Sequence, residues 1–243
     1  SANYDQILEI CKRYEVKVLE DAAEALGATR KSTKCGLFGD LGIFSFNGNK
    51  IITTSGGGML ICRDQETAAK AKFYITQARE KSSFYVHKEI GYNFRMSNIV
   101  AGIGRGQLQV LDERVARRRQ IFHTYKKELS AFGFLEFMPE PAGYFSTHWL
   151  SSLLINHPNL PIQKIIDTLE LEKIEARYLW KPMHTQPVFQ SGRWTAEFFS
   201  TNEGKATCEG LFERGLSLPS GSNMSESDLA RVIDSLKKIF KHA

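Results

Sequence analysis

The stretch Gly39–Leu60, GDLGIFSFNGNKIITTSGGGML, decides how the rest of the chain reads. Its apolar run Leu41–Phe46 predicts a strand, and the tight Asn47-Gly48-Asn49 turn behind it presents a single lysine, Lys50. A second turn follows, built from Thr53, Thr54, Ser55 and the glycines Gly56, Gly57 and Gly58. Small hydroxylated and glycine residues crowded round one amine mark a place where backbone can come close to a ligand. The same residues fit a β-hairpin with a charged tip, the commoner arrangement for a lysine between two turns.

A second stretch bears on that choice. Val16–Asp21, VKVLED, reads as a buried strand (Val16–Leu19) with a carboxylate at its end, followed by the small-residue run Ala22-Ala23-Glu24-Ala25. A carboxylate at the carboxyl end of a parallel strand stands where α/β sheets place their ligands. Lysine, carboxylate and hydroxyl-rich turn together make up the set that pyridoxal 5′-phosphate needs. The amine joins its aldehyde as a Schiff base, the carboxylate keeps the pyridine nitrogen protonated, and hydroxyl and amide donors hold the phosphate. Residue types and spacing permit this site without requiring it.

Composition narrows the classes. The chain has 243 residues, 42% hydrophobic and 24% charged, an ordinary soluble globular balance with room for one large or two small domains. No apolar run approaches the roughly 20 residues that span a bilayer, and no basic-then-apolar leader is visible, so a cytoplasmic protein without a membrane partner is expected. Cys11, Cys35, Cys62 and Cys208 have no C-x-x-C spacing and the six histidines no metal spacing; neither metal nor disulfide framework is expected. The net charge is a mild +5, and its densest cluster, Arg114 with Arg117, Arg118 and Arg119, reads as a solvated helix face rather than a nucleic-acid site. A Walker-type phosphate loop is excluded, because Asn49 separates Gly48 from Lys50 and Ile51 follows. Gly102-x-Gly104-x-Gly106 lies inside an apolar helical run with no strand before it, so it reads as close helix packing, not dinucleotide binding.

Taken in order, helices are expected over Tyr4–Tyr14 and Glu66–Gln77, an exposed turn over Lys31–Lys34 and a strand over Met59–Cys62. Lys81–Lys88 reads as a polar loop. A long helix is expected from Ile99 to Leu129, broken near Gly104–Gly106, and Phe132–Tyr144 with its two prolines reads as a linker. Beyond it, strands are expected at Trp149–Ile155 and Ile174–Arg177, and helices at Pro161–Glu170, Lys205–Gly215 and Ser225–Lys241, the last opened by Ser225 with Asp228 three residues on.

EDAAEALGA at Glu20–Ala28, FSFNGNKIITTSGGGM at Phe44–Met59 and GYNFRMSN at Gly91–Asn98 carry a family resemblance. QLQVLDER at Gln107–Arg114, WKPMH at Trp180–His184 and LFERGLSLPSGS at Leu211–Ser222 extend it nearly end to end. The chain resembles the DegT-type nucleotide-sugar aminotransferases, pyridoxal-phosphate enzymes of the aspartate-aminotransferase fold. The TSGGGM form is similar to the branch that aminates UDP-4-keto-6-deoxy-N-acetylhexosamines.

The resemblance implies an α/β fold. Residues 1–130 would form the C-terminal portion of a large cofactor-binding domain with a mostly parallel sheet, and residues 131–243 a smaller C-terminal α/β domain. It implies that Lys50 is catalytic and covalently holds the cofactor, that Asp21 pairs with the pyridine nitrogen, that Glu24 approaches the phenolic oxygen and that Ser45 bonds the phosphate. It further implies that Asn93 reaches the phosphate of a partner subunit's cofactor, hence a homodimer with shared sites. The reaction implied is transfer of an amino group from glutamate to a nucleotide-linked 4-keto-6-deoxy sugar, for surface polysaccharide or lipopolysaccharide synthesis. His148, Arg177 and His184 are candidates for the substrate's anionic groups. Relatives usually have SNRW where this chain has Ser146-Thr147-His148-Trp149, and often proline where it has Tyr178; the first change swaps a permanent cation for a titratable imidazole. A sugar dehydratase of the same fold carries histidine in place of the Schiff-base lysine, so Lys50 argues against it; a non-catalytic remnant is the other alternative.

Relatives also carry a long segment ahead of the aspartate-bearing strand, where this chain has only Ser1–Lys17. In the family that segment supplies further strands, the phosphate-binding loop and the ring that stacks on the cofactor. Strands left without such neighbours expose edges and apolar surface. A protein limited to these 243 residues is therefore expected to be poorly soluble or tightly self-associated and to transaminate negligibly, and one extended upstream to be yellow and active. Elution volume, visible absorption and glutamate-dependent turnover of a UDP-4-keto sugar compare the two, and full activity of the shorter chain contradicts the expectation.

Overall fold

The structure, a computed structural model, describes residues 2–189 and 206–241. Helix α1 (Tyr4–Arg13) leads into β1 (Leu19–Asp21), β2 (Thr29–Arg30), β3 (Thr33–Lys34), β4 (Leu41–Ser45) and β5 (Gly58–Cys62). Helices α2 (Gln65–Ile75), α3 (Asn98–Gln109) and α4 (Leu111–Glu128) follow, then β6 (Leu135–Phe137), β7 (Tyr144–Phe145), β8 (Ser151–Ile155), α5 (Ile162–Leu171) and β9 (Arg177–Tyr178). The order closes with α6 (Thr207–Arg214), β10 (Gly215–Leu218) and α7 (Glu226–Lys241). The chain forms two compact units, Ser1–Ala116 with Glu140–Trp149, and Arg117–Pro139 with Leu150–Ala243.

In the first unit β1, β4 and β5 make one sheet in that order. The β1–β4 pair is parallel and aligns Asp21 with Ile43, whereas β4–β5 is an antiparallel hairpin that aligns Ser45 with Gly58. The sheet expected to be mostly parallel thus has one parallel pairing and one antiparallel. β1 also begins later than Val16. The Val16 amide closes the end of α1 by donating to the Cys11 carbonyl (2.8 Å), and Val18 exchanges its backbone bonds with Asp40. Gly42 is required where it stands: a Cβ there would lie 2.0 Å from the Gly36 carbonyl oxygen.

Lys31 and Ser32 form the expected exposed turn, and Thr33–Lys34 continue from it as a strand of a small sheet, β3-β2-β7. Lys31 and Ser32 both have positive φ (47° and 68°), the two-residue geometry that matches strand twist in a tight hairpin. This sheet seats α1. Buried Arg30 grips the Asp5 carboxylate with two nitrogens (2.9 and 2.7 Å) and donates to the Tyr144 hydroxyl (2.9 Å), while Lys31 adds a bond to Asp5 (2.8 Å). Tyr4 stacks flat on Phe38, centroids 4.4 Å apart, and burial together with the Glu20 carboxylate pushes its phenol above the usual range.

Three sequence expectations are corrected here. The helix break falls at Val110, between α3 and α4, and not at the glycines, which helical hydrogen bonding carries straight through. The segment 132–144, expected as a linker, contains β6, whose Leu135 and Phe137 turn inward on either side of exposed Glu136. None of Arg114, Arg117, Arg118 and Arg119 is fully exposed. Arg117 donates to Glu226 (2.5 Å) and to the Met224 carbonyl (2.6 Å), and burial lowers the pKa of Arg118. Near-consecutive helical positions point round the axis, so they cannot share one solvated face.

The second unit is a wholly antiparallel sheet, β6-β8-β10-β9, with α5 and α7 supplying its apolar cover. α7 buries Leu229, Val232, Ile233, Leu236 and Phe240, the spacing of one helical stripe, at roughly 1.5–3 kcal/mol for each side chain. Ser225 and Asp228 cap it reciprocally: the Asp228 amide donates to Ser225 Oγ (3.1 Å) and the Ser225 amide to Asp228 Oδ2 (3.2 Å). β8 starts at Ser151 rather than Trp149, because His148 takes a left-handed backbone (φ 45°) that interrupts extension. Lys205, at the start of one expected helix, lies outside the described residues.

The clamp on α1 makes a pH prediction. Hydrogen bonds from Arg30 and then Lys31 hold the Asp5 carboxyl well below the usual carboxylate range. A depressed carboxylate contributes stability above its unfolded pKa, about 3.9, and loses it as pH falls through the folded value. Wild type should therefore exceed Asp5→Asn in urea midpoint at neutral pH, with the gap closing in acid; a gap independent of pH contradicts this.

Candidate functional site

The parallel register sets the site. With β1 and β4 running the same way, Asp21 and Ser45 both emerge at the carboxyl end of the sheet. The ladder runs one step further, since the Ala22 amide donates to the Ile43 carbonyl (3.0 Å). The chain then turns at once, with the Ala23 amide on Asp21 Oδ1 (3.1 Å) and the Ala25 amide on the Ala22 carbonyl (3.0 Å). That turn leaves the Asp21 carboxylate exposed and carries Glu24 back over the sheet end.

On β4 the ladder ends at Ser45, whose Oγ accepts from the Asn47 amide (3.3 Å). The Lys50 amide returns to the Asn47 carbonyl (3.1 Å), closing the turn that lifts the lysine. Its Nζ lies 3.0 Å from Glu24 Oε1 and 4.2 Å from the centre of the Trp149 ring. The Trp149 Nε1–H donates to the Asn49 carbonyl (2.8 Å), and only 14% of the Lys50 side chain is exposed. A carboxylate and an aromatic face thus bracket the amine.

The hydroxyl turn is folded in on itself. The Thr54 amide and Thr53 Oγ1 both donate to the Phe46 carbonyl (2.9 and 3.1 Å), the Ser55 amide to Thr53 Oγ1 (2.9 Å), and Thr54 Oγ1 to the Gly56 carbonyl. Gly57 (φ 94°) completes the return by accepting from the Phe46 amide (3.0 Å). α3 packs close here: a Cβ on Gly104 would stand 3.0 Å from Thr54 Cγ2.

The structure brings Asp21, Glu24, Ser45 and Lys50 to one end of one sheet. Asn93 is exposed and bridged to Thr76, and Met96, three residues after Asn93, reaches the Gly57 turn. His148 belongs to the same unit but is 1% exposed. Arg177 and His184 belong to the other unit. Arg177 is exposed and paired with Glu175, and His184 Nε2 meets Glu209 Oε1 at 2.7 Å. Trp149 is the residue that sequence reasoning missed, having read it as the start of a strand. Its contact with Lys50 joins positions about a hundred apart, and no local spacing signals it.

The fold seen here is that of the sugar aminotransferases. A DegT DnrJ EryC1 StrS aminotransferase from Brucella abortus superposes with a TM-score of 0.83 at 26% identity, over 99% of this chain and 61% of that one. The Helicobacter pylori aminotransferase PseC gives 0.89 at 24% identity, over 100% of this chain and 64% of that one, a likeness of fold alone. The chain belongs to the DegT/DnrJ/EryC1/StrS aminotransferase family, whose model matches residues 1–237. It is 51% identical over 240 residues to the putative pyridoxal phosphate-dependent aminotransferase EpsN of Bacillus subtilis, covering 99% of this chain and 61% of that protein. It is 34% identical to the GDP-perosamine synthase of Caulobacter vibrioides, over 97% of this chain and 62% of that protein. The chain therefore spans a little over three-fifths of the length of these relatives.

The geometry of the glycine turn predicts a contrast. Gly57→Ala should cost about 1–2 kcal/mol, because its left-handed backbone disfavours a Cβ, whereas Gly56→Ala, with open space around it, should stay within about 0.5 kcal/mol. Urea denaturation of both variants reads the difference, and equal costs contradict the reading of this turn.

Proposed function

We propose that this chain carries the lysine-bearing part of a pyridoxal 5′-phosphate-dependent aminotransferase. It would move an amino group from glutamate onto a nucleotide-linked 4-keto-6-deoxy sugar destined for a surface polysaccharide. The observation that supports this most is the single amine of Lys50, shielded and aimed at a sheet end that also presents an exposed carboxylate and a serine hydroxyl. The donor set fits the cofactor: amine for the aldehyde, Asp21 for the pyridine nitrogen, Glu24 toward the phenolic oxygen, Ser45 toward the phosphate, and Asn93 toward the site of a second copy. When bound, the cofactor supplies an electron sink for the carbon that loses a proton.

The chain's own residues do the rest. Asp21, fixed by the parallel ladder, is a standing negative charge that keeps a ring nitrogen protonated. Lys50 Nζ donates to Glu24 Oε1 at 3.0 Å, which orients the amine before it reacts. Once released, Lys50 Nζ moves a proton on and off the substrate carbon, a general acid–base role. The nucleotide-sugar acceptor is supported by what relatives are named for: a GDP-perosamine synthase, and in Helicobacter pylori a UDP-4-amino-4,6-dideoxy-N-acetyl-β-L-altrosamine transaminase at 25% identity.

The test uses the protein at its relatives' full length. Isotope-labelled nitrogen from glutamate should appear at the sugar carbon that carried the ketone, and Lys50→Ala should slow this by on the order of 10²–10⁴-fold or more. Mixing Lys50→Ala with Asn93→Ala subunits should restore part of the activity, since a hybrid holds one intact shared site. No transfer to any 4-keto-6-deoxy nucleotide sugar, or an unchanged rate in Lys50→Ala, contradicts the proposal.

A further inference from the structure

Lys50 is a long, flexible side chain at the tip of a tight turn, and such an amine does not hold one position by itself. A lysine carries substantial rotamer freedom, which must be removed if its Nζ is to meet a reacting carbon repeatedly in one geometry. Glu24 restrains it from one side, through an exposed carboxylate that solvent weakens. Trp149, a buried ring, makes two contacts with the lysine turn. Its face lies 4.2 Å from Nζ, and its N–H grips the carbonyl of the preceding residue, Asn49, at 2.8 Å.

These two contacts do different work. The indole N–H ties down the backbone of the turn and fixes where the lysine starts. The ring face attracts the ammonium and excludes water from one side of it, fixing where the lysine ends. The left-handed His148 immediately before it gives the chain the sharp change of direction that brings the indole to the turn.

We infer that Trp149 is a positioning residue for Lys50, its ring orienting the amine and its N–H anchoring the turn. This rests on reading Lys50 as the lysine that binds the cofactor, so the test separates the contact from that reading. The first arm needs no cofactor. The protein is labelled sparingly with acetic anhydride, and acetylation of Lys50 is measured by mass spectrometry against exposed Lys12. Trp149→Leu should raise relative Lys50 labelling about fivefold, the size of one lost cation–π contact, while Trp149→Phe, which keeps a ring, should stay within about twofold of wild type.

The second arm adds pyridoxal 5′-phosphate and borohydride and maps the pyridoxyl group. Wild type and Trp149→Phe should carry it at Lys50, and Trp149→Leu should carry less there and more on other lysines. Circular dichroism verifies that each variant is folded, and Trp149→Tyr provides a second ring-bearing replacement should Trp149→Phe not fold. Leucine and phenylalanine variants that behave alike, in either arm, overturn the positioning role of the ring. Trapping at another lysine in wild type overturns the cofactor reading and the role that rests on it, and the first arm then shows whether the contact itself stands.

Discussion

The parallel pairing of β1 with β4 is the constraint on which the site depends. Only three residue pairs are in register, yet they decide that Asp21 and Ser45 leave the sheet at the same end and not at opposite ends. A slip by one residue would turn the Asp21 side chain to the other face. The register is locked from outside the strands: Asp40 takes the Val18 amide and meets Lys17, and buried Glu20 accepts the Phe38 amide at 2.9 Å. Arg63 adds bonds to the carbonyls of Leu37, Phe38 and Gly39, so the loop leading into β4 is tied to the strand that follows the turn. The carboxylate, the serine and the lysine turn inherit their places from this arrangement.

Much of this was legible in the sequence, for identifiable reasons. The apolar run of β4, the Asn-Gly-Asn turn and the triple glycine encode local geometry, and local geometry is what residue types report best. The capping pair Ser225 and Asp228 was readable for the same reason. Where reading went astray, a distant partner had changed the outcome. Val16 and Val18 look like strand residues, but helix closure and Asp40 occupy their backbone groups. Gly104 and Gly106 look like a break, but helix α3 runs straight through them and brings Gly104 against the Thr54 turn. Arg117 looks like part of a solvated face, but Glu226 and the Met224 carbonyl claim it from more than a hundred positions away.

Trp149 shows the limit most clearly. The residue was visible within a substrate-facing motif, but its contact with Lys50 depends on one left-handed residue and on a fold that returns the chain to the sheet end. Large apolar side chains elsewhere in the first unit remain exposed, among them Ile90, Phe94 and Ile99 in the stretch around Asn93, Val16 ahead of β1 and Leu19 at its start. Exposed apolar surface of this extent is characteristic of surfaces that make further contacts.

The central claim is that Asp21, Ser45 and Lys50 form one pyridoxal 5′-phosphate site. Crystals of the protein soaked in that cofactor test it most directly. The account predicts density continuous from Lys50 Nζ to the cofactor's aldehyde carbon, with the ring nitrogen against Asp21 and the phosphate beside Ser45. Density joined to another lysine, or a ring whose nitrogen faces away from Asp21, would contradict it.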